Sequence, residues 1–206
     1  MSDFTYEYGK KNGTYEKYEW DNTWVNYANN PERTRVLYIG DSISYGVRNV
    51  ATPKTNDEIL FDGFATSRGI DNEYLIPSIS LFAKQQQRRD AVVFNNGLHG
   101  WHLDDETEYA EYYENAVKFL VEEFKGTPIF ILSSTHVKDE ENDKRVVARN
   151  KVAVEIANKY NIPYIDIYTV ALNNKELLSD GVHFEKEGYE LFADEIISTI
   201  KTIVEF

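Results

Sequence analysis

The sequence predicts an α/β protein whose parallel sheet is covered by helices on both faces. Three observations carry that expectation. Short runs of apolar, β-branched and aromatic residues alternate with longer stretches of helical length and spacing, which is the alternation that βαβ units produce. The runs, Val36-Leu37-Tyr38-Ile39 first among them, show no polar face, the pattern of strands buried on both sides. The runs give way to turns rich in glycine, asparagine and hydroxyl side chains, and the carboxyl edge of such a sheet is where ligands bind.

The first strand, Val36 to Ile39, stops at Gly40-Asp41-Ser42. A helix is expected from Ser44 to Val50, ended by Pro53, which lacks the N–H that the helical ladder needs. Ile59 to Ala65 is the second strand and closes on Thr66-Ser67-Arg68-Gly69, after which Glu73 to Gln87 has helical length and composition. Ala91 to Asn95 makes the third strand and runs into Asn96-Gly97-Leu98-His99-Gly100-Trp101-His102. In the next helix Tyr113, Val117, Leu120 and Phe124 recur at helical spacing, Asp105 with Glu108 resembles a capping pair, and Gly126 stops it. The acidic run Asp104 to Glu108 therefore reads as a helix N-terminus rather than as metal ligands. Ile129 to Leu132 is the fourth strand. A helix from Asp143 to Tyr160 comes next, with Val147, Val154 and Ala157 as its apolar stripe; Asn150 interrupts that stripe and reads as a side chain turned to backbone or solvent. Asn161-Ile162-Pro163 leads to the fifth strand, Tyr164 to Ile167, and a final helix spans Glu187 to Val204 with Phe192, Ile196, Ile200 and Ile203 on one face.

Residues 1–32 stand apart from this pattern and are read as an aromatic-rich arm, leaving 33–206 as the domain proper. Alternation in Thr5-Tyr6-Glu7-Tyr8 and Thr14-Tyr15-Glu16 flanks Asn12-Gly13, a dipeptide suited to a tight hairpin, so a small β-ribbon is expected. Its aromatics need a surface to cover them, either the main body or a second copy of the chain, which makes a homo-oligomer through the arm an expectation; a sugar-stacking surface is the sharper alternative.

Composition narrows the function classes. The chain has 206 residues, enough for one domain with a real core, and a formal net charge of −13 that opposes nucleic-acid backbones and anionic membrane surfaces. No apolar run approaches the roughly 18 residues of a membrane span, and MSDFTYEYGK lacks the basic and apolar regions of a signal peptide, so a cytoplasmic location is expected. The absence of cysteine removes thiolate nucleophiles, disulfides and Cys-based zinc sites. No cofactor or metal is called for.

The chemistry gathers at the predicted strand ends. Gly40-Asp41-Ser42 alone suits a turn and helix N-cap as well as a presented nucleophile. A serine nucleophile needs a base for its proton and donors for the oxyanion formed on attack. Asp180-Gly181-Val182-His183 offers both an imidazole and a carboxylate at a spacing that lets Asp180 hold His183 while the other ring nitrogen faces Ser42. Gly69 can offer an unobstructed backbone N–H and Asn96 a side-chain N–H. His99, His102 and His136 compete for the role of base, although neither His99 nor His102 has an acid so well spaced. Trp101 and His102 follow the asparagine directly and are expected to line the mouth, with the indole either stacking on substrate or buried in its own loop. Asp41, beside Ser42, joins them as a candidate substrate contact.

In these residues the chain resembles the SGNH, or GDSL, hydrolases: Gly40-Asp41-Ser42, Gly69, Asn96 and Asp180-x-x-His183 match the family's four blocks, from about Thr34 to the C-terminus. The resemblance implies a single-domain, flavodoxin-like three-layer αβα sandwich on a five-stranded parallel sheet. It also implies Ser42 as nucleophile, His183 as base, Asp180 as its partner, and an oxyanion hole from the Ser42 and Gly69 N–H groups and the Asn96 side chain. Family members commonly carry Asn-Asp in the third block, whereas this chain has Asn95-Asn96; Asn96 is preferred because it is expected to follow the strand rather than end it. The α/β-hydrolase alternative is disfavoured, since Gly40-x-Ser42-x-Ser44 lacks the second glycine of a nucleophile elbow. The expected activity is a serine esterase acting on short acyl esters, O-acetyl groups on carbohydrate foremost. An acyltransferase with the same triad and a non-catalytic carbohydrate-binding or assembly protein are the alternatives. The expected partner is a small-molecule or oligosaccharide ester.

Overall fold

The computed structural model describes residues 15–86 and 88–205. The predicted ribbon about Asn12-Gly13 lies outside them. The sheet comprises β1 (Asp21–Trp24), β2 (Thr34–Gly40), β3 (Ile59–Thr66), β4 (Ala91–Phe94), β5 (Ile129–Leu132) and β6 (Tyr164–Ile165). The helices are α1 (Ser42–Lys54), α2 (Leu75–Gln85), α3 (Glu106–Glu123), α4 (Glu140–Tyr160), α5 (Ile167–Asn173) and α6 (Lys186–Lys201). Spatial order is β1-β3-β2-β4-β5-β6, with β2 to β6 parallel and β1 antiparallel on β3.

Among the described residues the sheet thus has six strands, not five. The extra one comes from the segment read as an arm: Asp21–Trp24 is exposed along its whole length, so no apolar alternation reveals it. Arg35 fastens the turn after β1. Its buried guanidinium pairs with Asp62 at 3.0 Å and donates to the carbonyls of Asn26, Tyr27 and Asn30, which holds that turn against the sheet.

Side chains alternate across the sheet and build two cores. Val36 and Tyr38 of β2 face one way, onto Val47 of α1 and Phe192 and Ile196 of α6; Leu37 and Ile39 face the other, with Phe82 of α2, Tyr113, Val117 and Leu120 of α3 and Ile156 of α4. Each such fully buried side chain contributes roughly 1.5–3 kcal/mol.

Several boundaries differ from expectation for local reasons. α1 starts at Ser42, because Asp41 caps it by accepting the Ile43 N–H at 2.9 Å, and it runs one residue past Pro53 before the ladder fails. α2 is shorter than expected at both ends. β4 ends at Phe94, so Asn95 and Asn96 both lie beyond the strand. Ile167 does not end the fifth strand but opens α5, a helix absent from the sequence pattern, where Asp166 caps Thr169. α6 stops at Lys201, leaving Ile203 exposed rather than on the buried face.

Candidate active site

Parallel register brings the chemistry to one edge. Gly40 sits beside Ala65, and Ile39 beside Phe94, so the segments that leave β2, β3 and β4 emerge from the sheet side by side. Ser42 begins α1 directly after that edge. His183 Nε2 lies 2.8 Å from Ser42 Oγ, and His183 Nδ1 lies 2.8 Å from Asp180 Oδ2. An ionised carboxylate only accepts, so Nδ1 carries the proton and Nε2 is left to accept from the serine hydroxyl. Both distances are within reach of direct proton transfer.

The turn that carries the pair is rigid by construction. Asp180 Oδ1 accepts the backbone N–H of Val182 at 3.0 Å and of His183 at 2.9 Å, and the Ser179 N–H donates to the His183 carbonyl at 2.8 Å. Gly181 takes φ = +110°, a conformation that side chains avoid, and its carbonyl accepts the Lys138 N–H from the segment after β5. Burial tends to raise the Asp180 carboxyl, but the hydrogen bonds from His183 and Val182 outweigh it and hold its pKa below the ordinary value.

The loops after β3 and β4 meet beside this dyad. Asn96 is buried and donates Nδ2–H to the Arg68 carbonyl at 2.9 Å, against the peptide that precedes Gly69. Gly69 is dictated by proximity: a Cβ there would lie 2.8 Å from Gly100 Cα and 2.9 Å from Asp71 Oδ1. Asn95 turns elsewhere, donating to the Leu132 carbonyl and Ser134 Oγ at 3.0 and 3.1 Å.

Solved structures share this architecture. A member of the lipolytic G-D-S-L family from Veillonella parvula superposes with a TM-score of 0.66 at 17% identity, over 82% of this chain and 98% of that one. The lipase/acylhydrolase from Enterococcus faecalis gives 0.67 at 21%, over 84% and 97%. The C-terminal catalytic domain of peptidoglycan O-acetyltransferase A from Streptococcus pneumoniae gives 0.64 at 20%, over 82% and 94%. The chain has the SGNH/GDSL hydrolase fold. No family model matches the sequence, and no curated protein matches it either.

Within this SGNH fold the three candidate substrate contacts are held as follows. Trp101 is only 5% exposed, with the guanidinium of Arg145 5.0 Å and that of Arg149 4.8 Å from its ring centre, so of the two readings of its indole the observed one is burial in protein packing. His102 is tied at 2.6 Å to buried Asp71 beneath the Gly69 loop. Asp41 is buried and spent on capping α1; burial raises its pKa, with His99, the Ile43 N–H and His183 pulling the other way. His136 pairs with Asp143, which also accepts from Tyr168, and so serves the start of α4.

Two contributors escape a sequence reading. Arg149 is buried on α4 and donates to the carbonyls of Gly97, His99, Gly100 and Leu103, stapling the loop that carries Asn96. The buried face of α4 runs through Val146, Arg149, Val152, Ala153, Ile156 and Ala157; of the expected stripe Ala157 is buried, Val154 is half-buried and Val147 is exposed, while Asn150 turns to backbone as expected, pairing with Ser134 N–H and carbonyl. The arm also reaches the site's rim: Glu16 pairs with His99 at 2.8 Å, Trp20 stands edge-on to that ring, and Glu19 accepts from Ser67 Oγ at 2.7 Å. Burial lowers the His99 pKa, but Glu16 and the neighbouring carboxylates Asp41 and Glu19 raise it on balance. Among the described residues no group of acids and histidines is spaced to hold a metal ion, and no helix is long and apolar enough to cross a membrane.

Proposed function

We propose that the chain is a serine esterase that cleaves short acyl esters, O-acetyl groups on carbohydrate foremost, through an acyl-enzyme on Ser42. The observation that carries this reading is the continuous relay from Asp180 through His183 to Ser42, with 2.8 Å at each step. Ser42 Oγ attacks the ester carbonyl as His183 Nε2 takes its proton. The oxyanion is received by the Ser42 and Gly69 N–H groups and by the second N–H of the Asn96 amide, whose first is held by the Arg68 carbonyl. Collapse expels the alcohol, which takes the proton back from His183. Water then attacks the acyl-enzyme with His183 again as base, releasing the acid and restoring Ser42.

Carbohydrate is favoured by the net charge of −13, which suits a neutral polar substrate, and by the exposed aromatics of the N-terminal segment. The pneumococcal neighbour is by its name a peptidoglycan O-acetyltransferase, which keeps transfer to an alcohol as a second reading of the same site. The test is turnover of p-nitrophenyl acetate by the wild-type protein and by Ser42→Ala and His183→Ala. Each variant should lose on the order of 10⁶ in kcat if the pair acts as a unit. A sulfonyl fluoride should add once, on the peptide holding Ser42. Turnover that survives Ser42→Ala would end the proposal, and acetyl esters formed with added alcohols would assign transfer.

A further inference from the structure

Beside the edge strand β1, away from the serine, lies a cleft of about 440 Å³ between the turn after β1 and the second half of α1. That volume falls within the ~300–1,000 Å³ of ligand clefts. Two aromatic rings stand on its wall, Trp24 at 59% exposure and Tyr27 at 53%. Each is pinned by its polar edge, leaving ring surface exposed. Trp24 Nε1–H donates to Asn26 Oδ1 at 3.1 Å while Asn26 Nδ2–H is held by the Phe61 carbonyl, and Tyr27 O–H donates to Asp57 Oδ2 at 3.0 Å. The backbone holds this arrangement at a cost: Tyr27 and Asp57 both take positive φ, 43° and 61°, which for a tyrosine is a strained conformation of about 1–3 kcal/mol. Arg48, also in the lining, is buried, and its Nε and Nη1 find no acceptor among the described residues.

Rings fixed at one edge with exposed surface, Tyr27 with the Arg33 guanidinium 5.7 Å from its centre on one side, and bordered by the Asn49 amide and Asp57 carboxylate, match the two surfaces of a sugar: apolar C–H faces that stack and equatorial hydroxyls that hydrogen-bond. The cleft also lies in line with the serine. Ser42, Tyr45, Asn49 and Thr52 fall on one stripe of α1 at helical spacing, and Asn49 is about 10 Å along the axis from Ser42. Tyr45 is exposed between them, stacked on Arg48 at 5.1 Å.

We propose that the cleft between Trp24, Tyr27 and Asn49 is a remote subsite for a neutral oligosaccharide whose esterified unit reaches Ser42 along α1. This rests on the carbohydrate-ester reading above and deepens it. The test titrates Ser42→Ala protein with xylohexaose and with chitohexaose, ligands that carry no O-acyl ester, by calorimetry and by tryptophan fluorescence. One of the two should bind, Trp24→Ala in that background should weaken binding at least tenfold, and Trp24→Phe should restore part of it. In the Ser42-containing protein, Trp24→Ala should lower the ratio of kcat/KM for acetylated xylan fragments to that for p-nitrophenyl acetate at least tenfold. Binding that is indifferent to Trp24→Ala, or absent for both ligands, overturns the subsite. Failure of the parent reading looks different: p-nitrophenyl acetate is turned over while acetylated glycans remain intact, and oligosaccharide binding lost with Trp24 would then still uphold the subsite.

Discussion

Replacing Arg149 by methionine keeps the apolar stem of the side chain and deletes its guanidinium. Four carbonyls lose a donor: Gly97 at 3.0 Å, His99 and Gly100 at 2.7 Å and Leu103 at 3.3 Å, but Gly100 keeps the Leu103 N–H at 3.1 Å and Leu103 keeps Arg145 Nη2 at 2.9 Å. If the remaining two, Gly97 and His99, stay buried without a donor, the loss is about 2–6 kcal/mol at ~1–3 per unsatisfied group. The stacking of the cation between Trp101 and Tyr109, centres at 4.8 and 4.7 Å, adds roughly 0.5–2 kcal/mol per ring. Against this stands the cost of burying the charge, visible in an Arg149 pKa pushed down to about 10. Breaking a buried charged network in one place nets about 3–5 kcal/mol, and a comparable figure is expected here. Urea unfolding measures it, with Trp101 fluorescence reporting the loop itself. Arg149→Lys should recover little, because an ammonium cannot serve four carbonyls in a fixed fan. The surviving folded fraction of either variant should show a reduced kcat as the Asn96 loop loosens. A loss under about 1 kcal/mol in Arg149→Met, with an unchanged denaturant slope, would refute the staple.

Asn96→Ala should lower kcat about 10² to 10³ with little change in KM, as expected for a donor used in the transition state; Asn95→Ala, which strands the Leu132 carbonyl, should instead cost about 1–3 kcal/mol of stability. Steady-state kinetics and melting separate the two, and reversed phenotypes would exchange their roles. Asp180→Asn should cost about 10⁴ in kcat, because the amide can present an N–H to Nδ1 and favour the wrong tautomer; full activity would mean that another group orients His183. Asp41→Asn should keep the α1 cap and relieve a carboxyl whose pKa burial has raised. Such a carboxyl costs the fold nothing below its ordinary pKa, and stability is lost as pH rises from there through the raised value, so Asn should melt higher at neutral pH and lose the advantage in acid. Equal melting at both ends of that range would remove the raised carboxyl from the stability balance.

What could be read from the sequence was whatever obeys a local rule. Strands β2 to β5 announce themselves because both faces are apolar, and the Asp180-to-His183 turn does so because a carboxylate and an imidazole sit three residues apart. Asp21–Trp24 escaped because its side chains are all exposed: its partner is the β3 backbone, and backbone pairing leaves no mark on residue type. Arg149 escaped because a charged residue in a helix reads as solvent-facing until the carbonyls it serves, about fifty positions away, are folded against it. Trp101 was ambiguous for the complementary reason. An indole after an asparagine can face substrate or protein, and only Arg145 and Arg149, from α4, decide for protein.

The antiparallel strand β1 has a further consequence. Without it β3 would be the outer rail of the sheet: eight buried residues in a row with a free ladder of N–H and C=O groups, the kind of template on which another chain can add itself. β1 occupies four of those positions and presents in their place Asp21, Asn22 and Thr23, polar and exposed, while the opposite rail, β6, is only two residues long. The segment that the aromatic count marked as a candidate for self-association thus contributes the piece that shields the sheet from it.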